Sequence, residues 1–324
     1  MEISKDIQII TPGALTTIQD YGRTGYGDIG FSPSGAVDFN AMEIANILVG
    51  NKPGEAVLEC TLFGSTIRFN KNIVISITGA DMNPKIGEHN ISMNCAIAVK
   101  AGETLTLSFA AMGCRCYIAF AGGLQIEECY GSKSTNLKCA IGGFQGRALK
   151  AYDELNFANP VGHLGGISMR IYKSGEKQEG KVRQIRVVLG PQDDYFTEEG
   201  IRTFETGVYK LSNDSNRMAC KLVGPVIEGK QATDIISDGI SLGAIQVSSN
   251  GQPMIMLSDR QTTGGYAKIA TVISTDIPLL AQCKPGDEVS FHIISLKEAQ
   301  KLYKKRIKAR NKFQKEMNRW SDYE

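Results

Sequence analysis

Short apolar runs bounded by turn formers recur along most of the chain. In the first half they fall at residues 7–10, 66–69, 73–78, 96–99, 103–109 and 116–120. In the second half they fall at 184–189, 244–247, 254–257 and 289–294. They are rich in β-branched residues, and the spacing predicts strands. Residues 103–109 alternate polar and apolar, the mark of a strand with one buried face. Lys284-Pro-Gly-Asp287 is a turn ahead of the last strand. Many short strands with turn signals predict a mainly β protein of barrels or sandwiches.

Helical periodicity is scarce. Asp38 is placed to cap a helix over 39–49, with Gly50 just past its end and Ala41, Ile44, Ala45 and Leu48 on one face. A shorter helix is expected over 193–204. A third, over 295–320, carries a thin apolar stripe of Tyr303, Ile307, Phe313, Met317 and Trp320 on a basic background. The polar stretch 173–181 reads as a linker. The expected organisation is two β-barrel-like domains, at 1–176 and 182–294, followed by a basic C-terminal helix at 295–324.

Composition adds three constraints. Glycine supplies 35 of 324 residues, against about 7% in average proteins, which implies many tight turns. The formal charge is only +2, from 36 Lys+Arg against 34 Asp+Glu, which argues against a nucleic-acid binder working by bulk charge. That total conceals a split. Residues 297–324 hold ten basic and four acidic side chains, net +6, so residues 1–296 hold 26 and 30, net −4. The eight cysteines are scattered, without Cys-x-x-Cys, and read as reduced core thiols of a cytoplasmic protein. No secretory signal, membrane span or metal site is expected, because the three histidines stand apart from one another and from cysteine pairs.

Gly25-Tyr-Gly-Asp-Ile-Gly30 matches a dinucleotide-binding pattern, but Pro33 prevents a helix from starting at its last glycine, so a structured loop is expected. No phosphate-binding Gly-x-x-x-x-Gly-Lys-Ser/Thr occurs. Four segments combine glycines, hydroxyls and a cation. They are 17–23 with 33–38, 131–136 with 142–147, 212–218, and 258–266. Such segments either bind a carboxylate, carbamate or phosphate through freed N–H groups and guanidinium donors, or satisfy their own backbones by local capping.

Thr17-Ile-Gln-Asp-Tyr-Gly-Arg-Thr-Gly-Tyr26, Gly131-Ser-Lys-Ser-Thr135, Gly142-Gly-Phe-Gln-Gly-Arg147 and Asp259-Arg-Gln-Thr-Thr-Gly-Gly-Tyr266 resemble the allophanate hydrolase subunit 2 family. It is also called the biotin-dependent carboxyltransferase or KipA family. The resemblance covers about residues 8–293. It implies two β-barrel domains, the second cyclophilin-like, and partnership with a KipI-like B subunit. The family includes one chain of ATP-dependent 5-oxoprolinase, which implies an A subunit as a further partner and ATP as the complex's co-substrate. Two other roles accompany the resemblance. One is a non-catalytic antagonist of a KipI-like regulator. The other is half of a biotin-dependent carboxyltransferase, for which biotin would arrive on another domain, since no Met-Lys-Met carrier sequence occurs here.

The resemblance implies a site. Asp20, Asp259 and Arg260 are its expected catalytic residues. Arg23, Lys133 and Arg147 are expected anion anchors, with Ser132, Ser134, Thr135, Arg217, Gln246, Gln261, Thr262, Thr263, Gly264, Gly265 and Tyr266 on the binding face. Asp38 is a further candidate, with helix capping as its competing role. This sequence departs from the family pattern at Lys133, for Arg, and at Asn216, for Asp, where Asp214 lies close enough to substitute.

Overall fold

The computed structural model describes residues 5–173, 181–230 and 232–320. The chain forms two compact units, each containing a non-contiguous piece of sequence. The first takes residues 1–23, 34–175 and 309–324, and the second takes 24–33 and 176–308. The expected linker at 173–181 lies mostly outside the described residues.

The first unit is built on two sheets. One runs Glu154–Leu155, Ile7–Thr11, Thr66–Phe69, Thr104–Thr106, Lys85–Ile86 and His89–Asn90 in hydrogen-bonded order. The other runs Leu15–Gln19, Val57–Thr61, Met112–Phe120, Ile73–Asp81 and Ala96–Val99. Both contribute to one apolar core, and Phe69 of the first meets Phe120 of the second at 6.4 Å between ring centroids. Residues 73–78 are buried without alternation because this central strand is covered on both faces. Helix α1 (Phe39–Leu48) packs on Ile73–Asp81 and Met112–Phe120, and Thr78 Oγ1 donates to Ala41 O at 2.8 Å. Asp38 caps α1 as expected, accepting from Ala41 N at 2.9 Å. Its own N–H goes to Tyr117 Oη, whose hydroxyl donates to the buried Glu59 carboxylate at 2.7 Å. Burial pushes the Tyr117 phenol well above its usual pKa, aided by the Glu59 charge, so it remains a donor.

In the second unit seven strands close a barrel. The order is Val182–Leu189, Lys268–Val272, Ala244–Val247, Pro253–Met256, Ala219–Val223, Val208–Leu211 and Glu288–Ile293. Parallel pairing of Val182–Leu189 with Glu288–Ile293 completes the circuit. Helix α2 (Glu198–Thr206) lays Phe204 on Phe291, stacked at 4.4 Å. The expected helix over 193–204 is thus split. Phe196 is extended, buried and bridged to Gly229, and the helix restarts on Thr197, which caps Gly200 N. Helix α3 (Ile277–Ala281) follows Asp276. Asp276 is fully buried and accepts from Arg186 N, Nε and Nη2 at 2.9, 2.9 and 2.6 Å.

The last helix, α4 (Leu296–Trp320), starts on Ser295, whose hydroxyl accepts from Glu298 N at 3.2 Å. The C-terminal end of its apolar stripe is packed. Phe313, Met317 and Trp320 pack with Ile44, Ile47 and Leu48 of α1, while Tyr303 is 46% exposed. Arg310 of α4 donates to the buried Glu43 at 3.1 Å, and Tyr21 Oη joins the same carboxylate. Among the described residues no helix is long and apolar enough to cross a membrane. All eight cysteines are free thiols, five of them buried and Cys139 exposed.

Two measurements check these anchors. Asp276→Asn should lower stability by about 2–3 kcal/mol in urea unfolding, because it leaves the Arg186 guanidinium without its carboxylate. Asp153 is held by Arg147 at 2.6 and 2.9 Å. Burial works to raise its carboxyl, but hydrogen bonds from Arg147 and Lys150 N outweigh this and hold it below its usual pKa. Its stabilisation is therefore complete above the unfolded value of about 4 and vanishes as pH falls through the lower folded value. The deficit of Asp153→Asn, about 1 kcal/mol at neutral pH, should shrink steadily below about pH 4.

Candidate functional site

The four polar segments meet in pairs, one pair in each unit. In the first unit, residues 17–23 meet 131–136. The end of strand Leu15–Gln19 hands over to a turn in which Asp20 Oδ1 accepts from Gly22 N at 2.7 Å. The same oxygen accepts from Ser132 Oγ at 2.7 Å and from Ser134 Oγ. Oδ2 accepts from Lys133 N at 2.7 Å. Three of these donors converge on Oδ1 and one on Oδ2, so the carboxylate ties both sides of the contact together. Thr135 completes the contact, its Oγ1 donating to Ile18 O at 3.1 Å.

Arg23 lies against the same loop and is 1% exposed. Its Nη2 donates to Ser134 O at 2.5 Å and its Nε to Cys129 O at 3.4 Å, while Nη1 has no partner among the described residues. No described carboxylate is in ion-pair range of it. Gly142 makes this approach possible. At φ +66° its backbone passes so close that a Cβ would lie 2.2 Å from Ser134 O and 2.6 Å from Arg23 Nη2. Lys133 and Arg147 are already engaged. Lys133 Nζ holds Glu55 at 2.6 Å, and Arg147 holds Asp153 in the two-point geometry described above. Arg147 therefore stands apart from the Asp20 cluster, its guanidinium over the Phe144 ring at 5.0 Å. Asp38 is the α1 cap.

In the second unit, residues 212–218 meet 258–266. Arg217 Nε and Nη2 donate to Asp259 Oδ2 and Oδ1 at 2.9 and 3.2 Å, and Asp259 N donates to Arg217 O at 3.0 Å. Asp259, expected as a catalytic group, thus has both oxygens on a guanidinium. Arg260 gives Nε to Ile240 O at 3.0 Å and Nη1 to Leu257 O at 3.3 Å. No described carboxylate pairs with it, and burial holds its pKa below the usual arginine value.

The motif then enters a two-stranded ribbon of Asp234–Gly239 and Thr263–Tyr266. Gln261 and Thr263 are exposed, while Thr262, Gly265 and Tyr266 are half-buried. Gly264 rests on Gln246, where a Cβ would sit 2.9 Å from the amide nitrogen. That amide donates to Tyr266 O at 3.2 Å. Ser32, from the Gly-rich loop 24–33 of this unit, donates to Ser258 O at 3.1 Å. The loop is a turn, as Pro33 requires, with Gly30 N bonded to Gly27 O.

Sequence reasoning missed Lys268. It is buried in the barrel wall, paired in register with Gln246, and its Nζ reaches Asp238 of the ribbon at 2.7 Å. Hydrogen bonding from Lys268 lowers the Asp238 pKa. A lone cation inside the apolar strand Ala267-Lys-Ile-Ala-Thr-Val272 was the available signal. Among the described residues no group of His, Cys, Asp or Glu is arranged to hold a metal ion. An open pocket lined by Lys5, Ile126, Phe144 and Asn156 contains none of the candidate residues.

Similarity to known proteins follows this geometry. The chain is 38% identical over 295 residues to the C subunit of the Escherichia coli 5-oxoprolinase, covering 91% of this chain and 93% of that one. It is 33% identical to the protein of the same name in Haemophilus influenzae, covering 92% and 94%. The solved urea amidolyase of Kluyveromyces lactis superposes with a TM-score of 0.88 at 29% identity, over 97% of this chain. The chain spans only 20% of that larger protein. Residues 29–293 match the family model described as carboxyltransferase domain, subdomain A and B, and to that family the chain belongs.

Proposed function

We propose that the chain is the C subunit of a cytoplasmic, ATP-dependent 5-oxoprolinase complex, acting with a KipI-like B subunit and an A subunit to open the lactam of 5-oxoproline to glutamate. Likeness to the 5-oxoprolinase C subunits of two bacteria supports the reading over nine-tenths of the chain. The observation that carries it is Arg260, a half-buried cation in the most distinctive motif, bonded to carbonyl oxygens with no described carboxylate beside it. A charge of this kind is stabilised by an anion, and 5-oxoproline brings one carboxylate.

The chemistry divides accordingly. An unstrained amide resists water because resonance protects its carbonyl carbon. Phosphoryl transfer from ATP to the lactam oxygen removes that protection. One water then adds to the carbon and the ring nitrogen leaves as the amine. A second water releases phosphate and leaves the carboxylate. Within this chain, Arg260 binds the substrate carboxylate, and the Arg217–Asp259 pair fixes the backbone that presents it. In the first unit Arg23 offers a cation to an anion of its own, on a loop held by Asp20. With three donors on Oδ1 and one on Oδ2, Asp20 holds the loop and serves as a positioning residue in this reading.

The likeness to urea amidolyase favours a second reading, half of a biotin-dependent carboxyltransferase. Biotin-dependent carboxyl transfer by the purified complex, without glutamate release from 5-oxoproline, would replace the first reading by the second.

Two variants test the assignment in the assembled complex, with glutamate release as the measurement. Arg260→Ala should lower kcat/KM about 10–100-fold, the worth of one charge-assisted contact. Unchanged turnover removes Arg260 from the site. Asp20→Asn should lower kcat while the acid limb of the pH profile stays in place, because it disturbs loop 131–136 without removing a titrating base. Loss of that limb would make Asp20 the base.

A further inference from the structure

Helix α4 carries its cations in one seam. Lys301, Lys305, Lys308, Lys312, Lys315 and Arg319 follow one another at alternating steps of four and three residues, and each is exposed. Lys297 and Lys304, also exposed, extend the same side. At about 100° per residue all eight fall within an arc of about 100°. No other residue between 297 and 319 shares that arc, and Glu298 and Glu316 lie at its margin. At about 1.5 Å per residue the seam is about 33 Å long. The family match ends at residue 293, so the seam lies beyond it.

An unbroken cationic seam on a helix is costly, since like charges at three- and four-residue spacing repel. The opposite face explains what the seam is not. Phe313 and Met317, which a membrane-surface helix would insert, are packed on Ile44, Ile47 and Leu48 instead. Seven of the eight cations are lysines, which act as point charges rather than the two-point forks that read base edges, and no aromatic ring lies among them to stack a base. The rest of the chain has net charge −4, which opposes a nucleic acid approaching elsewhere. What remains complementary to a straight, lysine-rich seam is a protein face lined with carboxylates.

We infer that the α4 seam docks a carboxylate-rich face of another subunit of the same complex. The inference rests on the multi-subunit reading above. The structure assigns the contact to Lys301, Lys305, Lys308 and Lys312 at the middle of the seam, with lysine stems free to adjust and Coulomb attraction steering the encounter.

The experiment titrates the purified full chain with the purified A and B subunits of its own organism. Affinity for at least one of them should fall about tenfold or more between about 0.05 M and 0.5 M salt. Replacing Lys301, Lys305, Lys308 and Lys312 together with Glu should weaken binding at least about tenfold at physiological salt, with the Gln set intermediate. The fold should be retained and the urea midpoint of the Gln set should not fall, because the buried face is untouched and the substitution relieves repulsion along the seam. Binding by the Glu set within about twofold of the parent overturns the docking role, and glutamate release by the three subunits together then leaves the complex reading standing. Loss of binding to a DNA duplex or to phosphatidylserine vesicles, with subunit binding retained, also overturns it. If the parent chain binds neither subunit at any salt and no glutamate is released, both readings fall.

Discussion

A guanidinium keeps its charge at any pH a cell offers, and Arg23, buried, and Arg260, half-buried, carry theirs without a described carboxylate in ion-pair range. Arg23 and Arg260 each rest on backbone carbonyl oxygens, one in each unit. Carbonyl dipoles recover part of the lost hydration but do not neutralise the charge. The surrounding loops are organised to hold these cations still. Gly142 lets the backbone close over Arg23, and Asp20 ties down the serines that frame it. Arg217 and Asp259 clamp the chain immediately before Arg260. Other arginines are matched by a carboxylate, as at Arg147 with Asp153 and Arg186 with Asp276.

The departures from the family pattern lose their weight once the partners of each residue are known. Asn216 Oδ1 accepts from Met218 N at 2.8 Å and Ala219 N at 3.3 Å, closing its own turn. An aspartate oxygen would accept the same two bonds, so the exchange preserves the local shape and the neighbouring Asp214 has nothing to replace. At 133 the contribution to the loop is the backbone N–H on Asp20, which any residue but proline supplies. The ammonium meets Glu55 at a single point, for which an arginine fork is unnecessary.

Local chemistry made most of the fold legible. The strand at 244–247 appears where β-branching predicted it, and α1 begins on Asp38 because its carboxylate accepts the orphan Ala41 N–H. What stayed hidden depends on contacts distant in sequence. The helix expected over 193–204 breaks because Phe196 is drawn into a bridge with Gly229, a pairing no local window contains. The pairing of polar segments two by two was likewise unreadable, since Asp20 and Ser134 are 114 residues apart. Loop 24–33, which separates motif residues on either side of it, belongs to the second unit although its neighbours belong to the first. Lys268 escaped because burial of a lysine depends on Asp238 arriving from another strand.

The packing of α4 on α1 also bears on how the chain is made. Ile44, Ile47 and Leu48 leave the ribosome early, while Phe313, Met317 and Trp320, which cover them, are synthesised after the whole of the second unit. The first unit therefore waits through that interval with an apolar patch open, and vectorial synthesis cannot complete it domain by domain. Its last contacts form only after the second barrel has emerged.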